Sequence, residues 1–325
     1  MENIKPCYEK TVKRISDELN KYDSCFKFAM VADTHLDNSI PDTINNIKAV
    51  DKNVNFNCLL HMGDFMNGNI PRKYTKEILK EQVELFRDSI STKDFFPTEG
   101  NHDGHWDYTF YNAQHIALDE DWYEATSFTE DIKRVSRQKN KPYFYADYPE
   151  YKVRIIVICS FYNEGLDGKT KLKKVYGISS EQLKWLEETL SSLQKDWTVM
   201  FLSHVPPFPV FCDDVCKDNT RPNGNETMEL IKSKSKEIGF SVACWFLGDY
   251  HGDLMGNFNS INFVITADET AYVPQLWNMP EGGYFPERSL NTDTEDLWDA
   301  VVLDKENRKI RIFRFGAGKD REISY

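Results

Sequence analysis

Five apolar runs in this 325-residue chain each end on residues able to bind metal ions. Cys25–Val31 runs into Asp33-Thr34-His35, Phe56–Met62 into Gly63-Asp64, and Phe95-Phe96 into Gly100-Asn101-His102-Asp103. Trp197–Leu202 runs into Ser203-His204, and Val242–Leu247 into Gly248-Asp249-Tyr250-His251. Short apolar runs stopped by Gly and Asp have the character of buried strands. In open α/β sheets, ligands collect beyond the carboxyl ends of the strands. Five such ends therefore predict one shared site. Carboxylate, amide and imidazole donors together suit divalent metals, and a close pair of metals serves phosphoester hydrolysis.

The rest of the chain supplies a frame for those turns. Val12, Ile15 and Leu19 recur at helical spacing, which predicts an N-terminal helical extension within residues 1–24 that docks on a single domain, 25–325. Pro41–Val50 reads as a helix with proline at an early position. Tyr74–Ile90 is a longer helix with Ile78, Leu79, Val83, Leu85 and Phe86 on its apolar face. Tyr143–Tyr148 and Val153–Cys159 form a hairpin about Pro149-Glu150. Ser179 and Gln182 form a capping box for the helix Ser180–Gln194, and Glu226–Ile238 is a further helix. Ile261–Thr266, Ala300–Leu303 and Ile310–Phe315 are expected to close a second sheet. Alternating strands and helices followed by a β-rich section predict an α/β chain of two packed sheets with helices outside. Two stretches lack clean periodicity, one aromatic (about 104–140) and one rich in proline and acid (206–225). Both are read as insertions over the site, since long loops in compact domains are usually functional.

Charge narrows the function. With 40 basic and 52 acidic residues the formal net charge is -12, which argues against a protein built to grip nucleic acid. A small phosphorylated substrate held by metals stays open, because bound cations dominate their local field. The seven cysteines form no CxxC pair. Cys25, Cys58, Cys159 and Cys244 sit in apolar runs as small hydrophobes, and Cys212 and Cys216 are spaced for a local disulfide. The pattern fits a reducing compartment. Residues 1–10 lack the apolar core of a secretory signal, and no run reaches the roughly 18 apolar residues of a membrane span. The expectation is a cytoplasmic protein with no membrane partner. Asn225-Glu226-Thr227 matches a glycosylation acceptor, which matters only in a secreted protein.

Each metal-type motif has an ordinary reading alone: an Asp after a strand forms a turn, and a lone His packs in a core. Their order carries more. The chain resembles the calcineurin-like metallophosphoesterase superfamily, whose pattern is Asp-x-His, Gly-Asp, Gly-Asn-His-Asp/Glu, a single His, then Gly-His-x-His. The resemblance spans roughly residues 25 to 265. It implies a four-layer αββα sandwich of two mixed β-sheets flanked by helices. It implies two divalent metals, one held by Asp33, His35, Asp64 and His251, the other by Asp64, Asn101, His204 and Asp249, with Asp64 bridging. Asp249 departs from the pattern by standing where the family has its first histidine. A carboxylate is the harder donor, which favours manganese among manganese, iron, magnesium and zinc.

The chemistry implied is attack of a metal-bridging hydroxide on a phosphodiester or phosphomonoester, with His102 as general acid. Asp103 follows His102 and is expected to orient it or raise its pKa. His105 and Arg221 are candidate substrate contacts, and Asp253 a candidate support for His251. Trp106, Tyr108 and Tyr111 could stack on an organic substrate, and His115 is read as structural. The acidic chain favours the diester, which carries less negative charge. The substrate is a small phosphorylated molecule or a surface-exposed phosphoester. The competing readings are a metal-dependent nuclease and, on the strength of Asp249, a catalytically weakened binding scaffold. No motif addresses oligomeric state.

Overall fold

All six residues of the first strand, β1 (Phe26–Val31), are buried, because it lies inside a sheet with both faces covered. The computed structural model describes residues 4–68, 70–104, 117–164, 173–208, 221–269 and 279–325. The first half continues with α1 (Glu9–Leu19), α2 (Ile40–Val54), β2 (Cys58–His61), α3 (Arg72–Arg87), β3 (Phe95–Pro97), α4 (Asp119–Ala125), β4 (Val135–Arg137), β5 (Phe144–Tyr148) and β6 (Val153–Val157). Then come β7 (Phe161–Glu164), β8 (Lys173–Tyr176), α5 (Ser180–Ser191), β9 (Thr198–Leu202), α6 (Gly224–Ile238) and β10 (Ser241–Leu247). The chain closes with β11 (Leu254–Phe258), β12 (Ile261–Ile265), β13 (Trp298–Asp304), β14 (Lys309–Phe315) and β15 (Arg321–Ser324).

The strands form two large sheets, ordered β15-β14-β13-β1-β2-β3 and β11-β12-β10-β9-β6-β5-β4, with β7 and β8 as a separate hairpin. Residues facing inward from the first sheet (Phe28, Met30, Leu60, Phe96) meet those of the second (Phe144, Ile155, Met200, Phe246). Helices α1, α2 and α3 share an apolar cluster with the outer face of the first sheet, and α5 and α6 cover the second. This is the four-layer αββα arrangement. Val12, Ile15 and Leu19 are fully buried in that outer cluster. At about 1.5–3 kcal/mol for each such side chain, α1 is a working part of the layer.

Register aims the turns. The strands β1, β2 and β3 run parallel, pairing Val31 with His61 and His61 with Pro97. The turns that follow them therefore leave from one edge. In the second sheet β6, β9, β10 and β12 are also parallel, with Leu202 paired to Phe246 and Leu247 to Ile265. Both sheets thus present carboxyl ends to the same place.

Three expectations need correction. First, the late strands do not close a second sheet together. Only β12 joins it, whereas β13 and β14 extend the first sheet, with β13 antiparallel to β1 from Phe26–Leu303 to Met30–Asp299. Periodicity gives a strand's burial and says nothing of its neighbour. Second, residues 117–140 are part of the body. Trp122 and Phe128 pack in the first core, Arg72 on α3 holds Asp121 on α4 at 2.6 Å, and β4 edges the second sheet. Elements of three to seven residues are too short to show a period. Third, Ser179 does cap α5, its hydroxyl accepting the Gln182 N–H at 3.1 Å. The Gln182 amide turns away, however, to the Cys159 main chain.

Among the described residues Cys7, Cys25, Cys58, Cys159 and Cys244 form no disulfide, while Cys212 and Cys216 lie outside the described residues. Among the described residues no helix is long and apolar enough to cross a membrane.

Candidate metal centre

The donors sit on turns of unusual backbone. Asp33, His35, Asp64, Asp249 and His251 all have positive φ, between 45° and 71°. Such conformations cost non-glycine residues about 1–3 kcal/mol each and survive only where the surroundings over-determine them. Here the turns brace one another. The Asp33 N–H donates to Gly63 O and the His35 N–H to Asp64 O, each at 3.0 Å. The Asp249 N–H donates to the Asp33 carboxylate at 3.2 Å.

Close approach depends on two glycines. A Cβ on Gly100 would overlap the Asp64 carboxylate, and one on Gly63 would stand 2.8 Å from His204 Nδ1. With no side chain at residue 100, Asp64 Oδ1 accepts the His102 N–H at 2.9 Å.

The side chains converge. Asp33, His35, Asp64 and His251 offer donor atoms that all lie within 4.8 Å of one another. The His35 and His251 Nε2 atoms are 3.3 Å apart. Beside them, His204 Nε2 stands 2.8 Å from Asn101 Oδ1, 3.2 Å from Asp64 Oδ2 and 3.5 Å from Asp249 Oδ1. The seven expected ligands are therefore brought together, with Asp64 facing both groups.

The histidines sit much as metal ligands do, with an oxygen near the second nitrogen. His204 Nδ1 meets Met62 O at 2.5 Å, His35 has a backbone hydrogen bond to Met66, and His251 Nδ1 faces Asp268 Oδ2 at 3.6 Å. Burial pushes His35 down to about 4 and His251 down to about 3, so both rings are neutral, with lone pairs available, at pH 7. Burial pushes Asp64 up, but the imidazoles of His204, His102 and His35 together hold it well below the usual carboxylate range. His204 is driven down by burial and lifted well above its ordinary value by Asp64, Asp249 and Asp33. Carboxylates that favour a proton on His204 also favour a divalent cation between them. The donor set fits such a metal.

His102 lies at the mouth, with its side chain 23% exposed. Its Nδ1 is 3.0 Å from Asn67 O and its Nε2 3.9 Å from Asp64 Oδ2. Asp103 does not fill the role expected beside it. Its carboxylate accepts the N–H groups of Asp64, Phe65 and Gly100 at 2.9–3.0 Å, locking the second and third turns. The carboxylate is committed to these main-chain donors rather than to the neighbouring ring.

Other expectations also shift. Asp253 does not reach His251. Arg314 and Arg321 hold it instead, and Asp268 stands at His251. Asp268 follows β12, so the strand-end rule applied a sixth time would have found it. The Arg221 guanidinium donates to Pro206 O, closing the base of the 206–225 segment rather than reaching for substrate. His105, Trp106, Tyr108, Tyr111 and His115 lie outside the described residues.

Fold and site together define a metallophosphoesterase. The chain belongs to the calcineurin-like phosphoesterase family, whose sequence pattern matches residues 26–255. It is 24% identical over 226 residues to a probable glycerophosphodiester phosphodiesterase of Arcobacter nitrofigilis, covering 66% of this chain and 68% of that one. Purple acid phosphatase PPD1 from yellow lupin shares the fold, with a TM-score of 0.54 at 16% identity over 92% of this chain. The match takes in 53% of the lupin protein, so this chain spans about half its length. GAP50, the anchor in the inner membrane complex of Plasmodium, superposes with a TM-score of 0.50 at 13% identity, over 92% of this chain and 89% of its own.

Proposed function

We propose that this protein is a two-metal phosphoesterase acting on a phosphodiester. The observation that carries the reading is the convergence of seven donors from five strand ends, four of them within 4.8 Å of one another. Asp33, His35, Asp64 and His251 would hold one ion, and Asp64, Asn101, His204 and Asp249 the other. Manganese suits the oxygen-rich set. Divalent ions bound here would neutralise the phosphate oxygens and supply a water acidic enough to attack phosphorus at neutral pH.

The chain's own groups do the rest. His102 lies at the mouth with Nδ1 donating to the Asn67 carbonyl; as the imidazolium it would give its Nε2 proton to the departing alkoxide and be left neutral. Asp103 fixes the turns carrying Asp64 and His102. The diester is favoured by the distant relative's name and by a third carboxylate, Asp249, in the site. A chain of net charge -12 is a poor fit to a nuclease. The substitution at Asp249 motivates the scaffold reading, which metal content decides.

The test is hydrolysis of bis-p-nitrophenyl phosphate and of the monoester by chelator-stripped protein given manganese, iron, magnesium or zinc. The expected result is faster diester turnover with manganese and about two metals per chain. His102→Gln should lower kcat about 10²–10⁴-fold with metal content intact. No hydrolysis of either ester with any metal, and less than one metal per chain, leaves the scaffold.

A further inference from the structure

His61 ends β2 and is fully buried, yet it is neither a metal ligand nor the acid. Its ring stacks on Phe65 with centroids 3.5 Å apart and planes at 14°. Nδ1 accepts the Gly63 N–H at 3.1 Å, so Nδ1 carries the lone pair and Nε2 the proton. Nε2 lies 3.3 Å from Thr34 Oγ1 and donates to it. Thr34 stands between Asp33 and His35, and Gly63 precedes Asp64. The main chain of His61 also accepts the Thr98 N–H at 2.9 Å, three residues before Asn101.

We propose that His61 is a positioning residue of the metal centre: a neutral imidazole, protonated on Nε2, that sets the spacing between the Asp33–His35 turn and the Gly63–Asp64 turn. The proposal rests on reading the site as a metal centre. Asp33, His35 and Asp64 are all held at positive φ, and such turns relax unless braced from several directions. The main-chain bonds between the turns are one brace, and the two ring nitrogens are a second. An apolar ring at residue 61 could keep the stack on Phe65 but would leave the buried Gly63 N–H without this acceptor. A charged imidazole would aim a donor at that donor.

The experiment titrates manganese chloride into chelator-stripped protein by calorimetry, and so reads metal affinity rather than turnover. His61→Phe keeps volume and stacking and should weaken manganese binding about 10–100-fold, the usual effect of removing a partner behind a ligand. His61→Asn places Oδ1 where Nδ1 accepts, and should recover at least half of that loss on a logarithmic scale. Thr34→Val should weaken binding at least threefold. Ile312→Val, a control between the sheets, should lower the melting temperature and leave affinity unchanged. Wild-type affinity in His61→Phe, or no recovery in His61→Asn, overturns the assignment. Should His61→Phe not fold, wild-type affinity in Thr34→Val overturns it. Wild-type protein that binds no manganese sinks the metal-centre reading and this proposal with it. Wild-type binding that none of the variants disturbs sinks His61 alone.

Discussion

Asp249 shows how far one side chain can set chemistry. Its carboxylate stands 3.5 Å from His204 Nε2, where the family pattern has an imidazole. With Asp33 and Asp64 it makes a third carboxylate facing the proposed metal pair, so the loaded centre is one charge less positive. At an effective dielectric near 20, a unit charge about 4 Å away is worth roughly 4 kcal/mol. A dianionic monoester loses about twice what a monoanionic diester loses. Asp249→His should therefore raise monoester kcat/KM relative to diester kcat/KM by about tenfold or more, and shift metal preference toward zinc. The measurement is the ratio of the two rate constants under manganese and under zinc. An unchanged ratio with an unchanged preference means that Asp249 does not face the metals. The converging donor residues were legible in sequence, since type, order and strand-end position all point one way. His61 was not, because its meaning lies in what the fold puts beside it. A histidine inside an apolar run carries no mark of which turns it will touch.

Elements were legible in proportion to their length and to the asymmetry of their surroundings. The helix α3 repeats its apolar face through Leu79, Val83 and Phe86, and α1 does so through Val12, Ile15 and Leu19. By contrast, α4 and β4 have too few residues to repeat anything. Polar contacts between elements leave no periodic trace either, and one of them has a measurable consequence. Thr43 on α2 places its hydroxyl 2.7 Å from both Glu269 Oε1 and Asp296 Oδ1. A hydroxyl has one proton to donate, so the geometry is satisfied when one of the two acids is protonated. Burial, and after it Asp296, lifts Glu269 to about 8, and burial lifts Asp296 to about 6. Above the ordinary Glu value of 4.5 the unfolded chain releases the Glu269 proton while the folded chain keeps it. Stability should then fall as pH rises from about 4.5 to about 8. Glu269→Gln removes that penalty. The variant should be more stable than wild type at pH 8 by about 1–3 kcal/mol, with a flatter profile below. Urea melts from pH 5 to pH 8 check this, and equal slopes in the two proteins would falsify the assignment of the slope to Glu269.

Across the whole molecule, two sheets must hold their donor turns in one frame, and the apolar core between them is joined by an ionic link. Arg314 on β14 and Arg321 on β15 are nearly fully buried and both bind Asp253 and Asp299. Asp299 lies on β13 of the first sheet, whereas Asp253 follows His251 by two residues and directly precedes β11 of the second. The quartet extends into the second sheet's edge, with the Thr266 hydroxyl on Asp299 at 2.6 Å and the Ala267 N–H on Asp253 at 3.1 Å. Two positive and two negative charges cancel, so no net charge is buried. That balance was invisible in the sequence, because nothing local shows that β13 pairs with β1 and carries Asp299 toward the metal turns. Removing one member leaves a buried charge without its partner, which costs about 3–5 kcal/mol. Removing one of each sign restores the balance at the expense of hydrogen bonds. Asp299→Asn and Arg314→Met should each destabilise by about that amount, while the double variant should lose clearly less than their sum. If the quartet also sets the frame, each single variant should weaken manganese binding, since the His251 turn is anchored through Asp253. Denaturant melts of the two singles and the double, with calorimetric manganese titration of each, separate these effects. Strict additivity would show that the four charges act independently. Wild-type manganese affinity in the singles would show that the quartet stabilises the sandwich without holding the site in place.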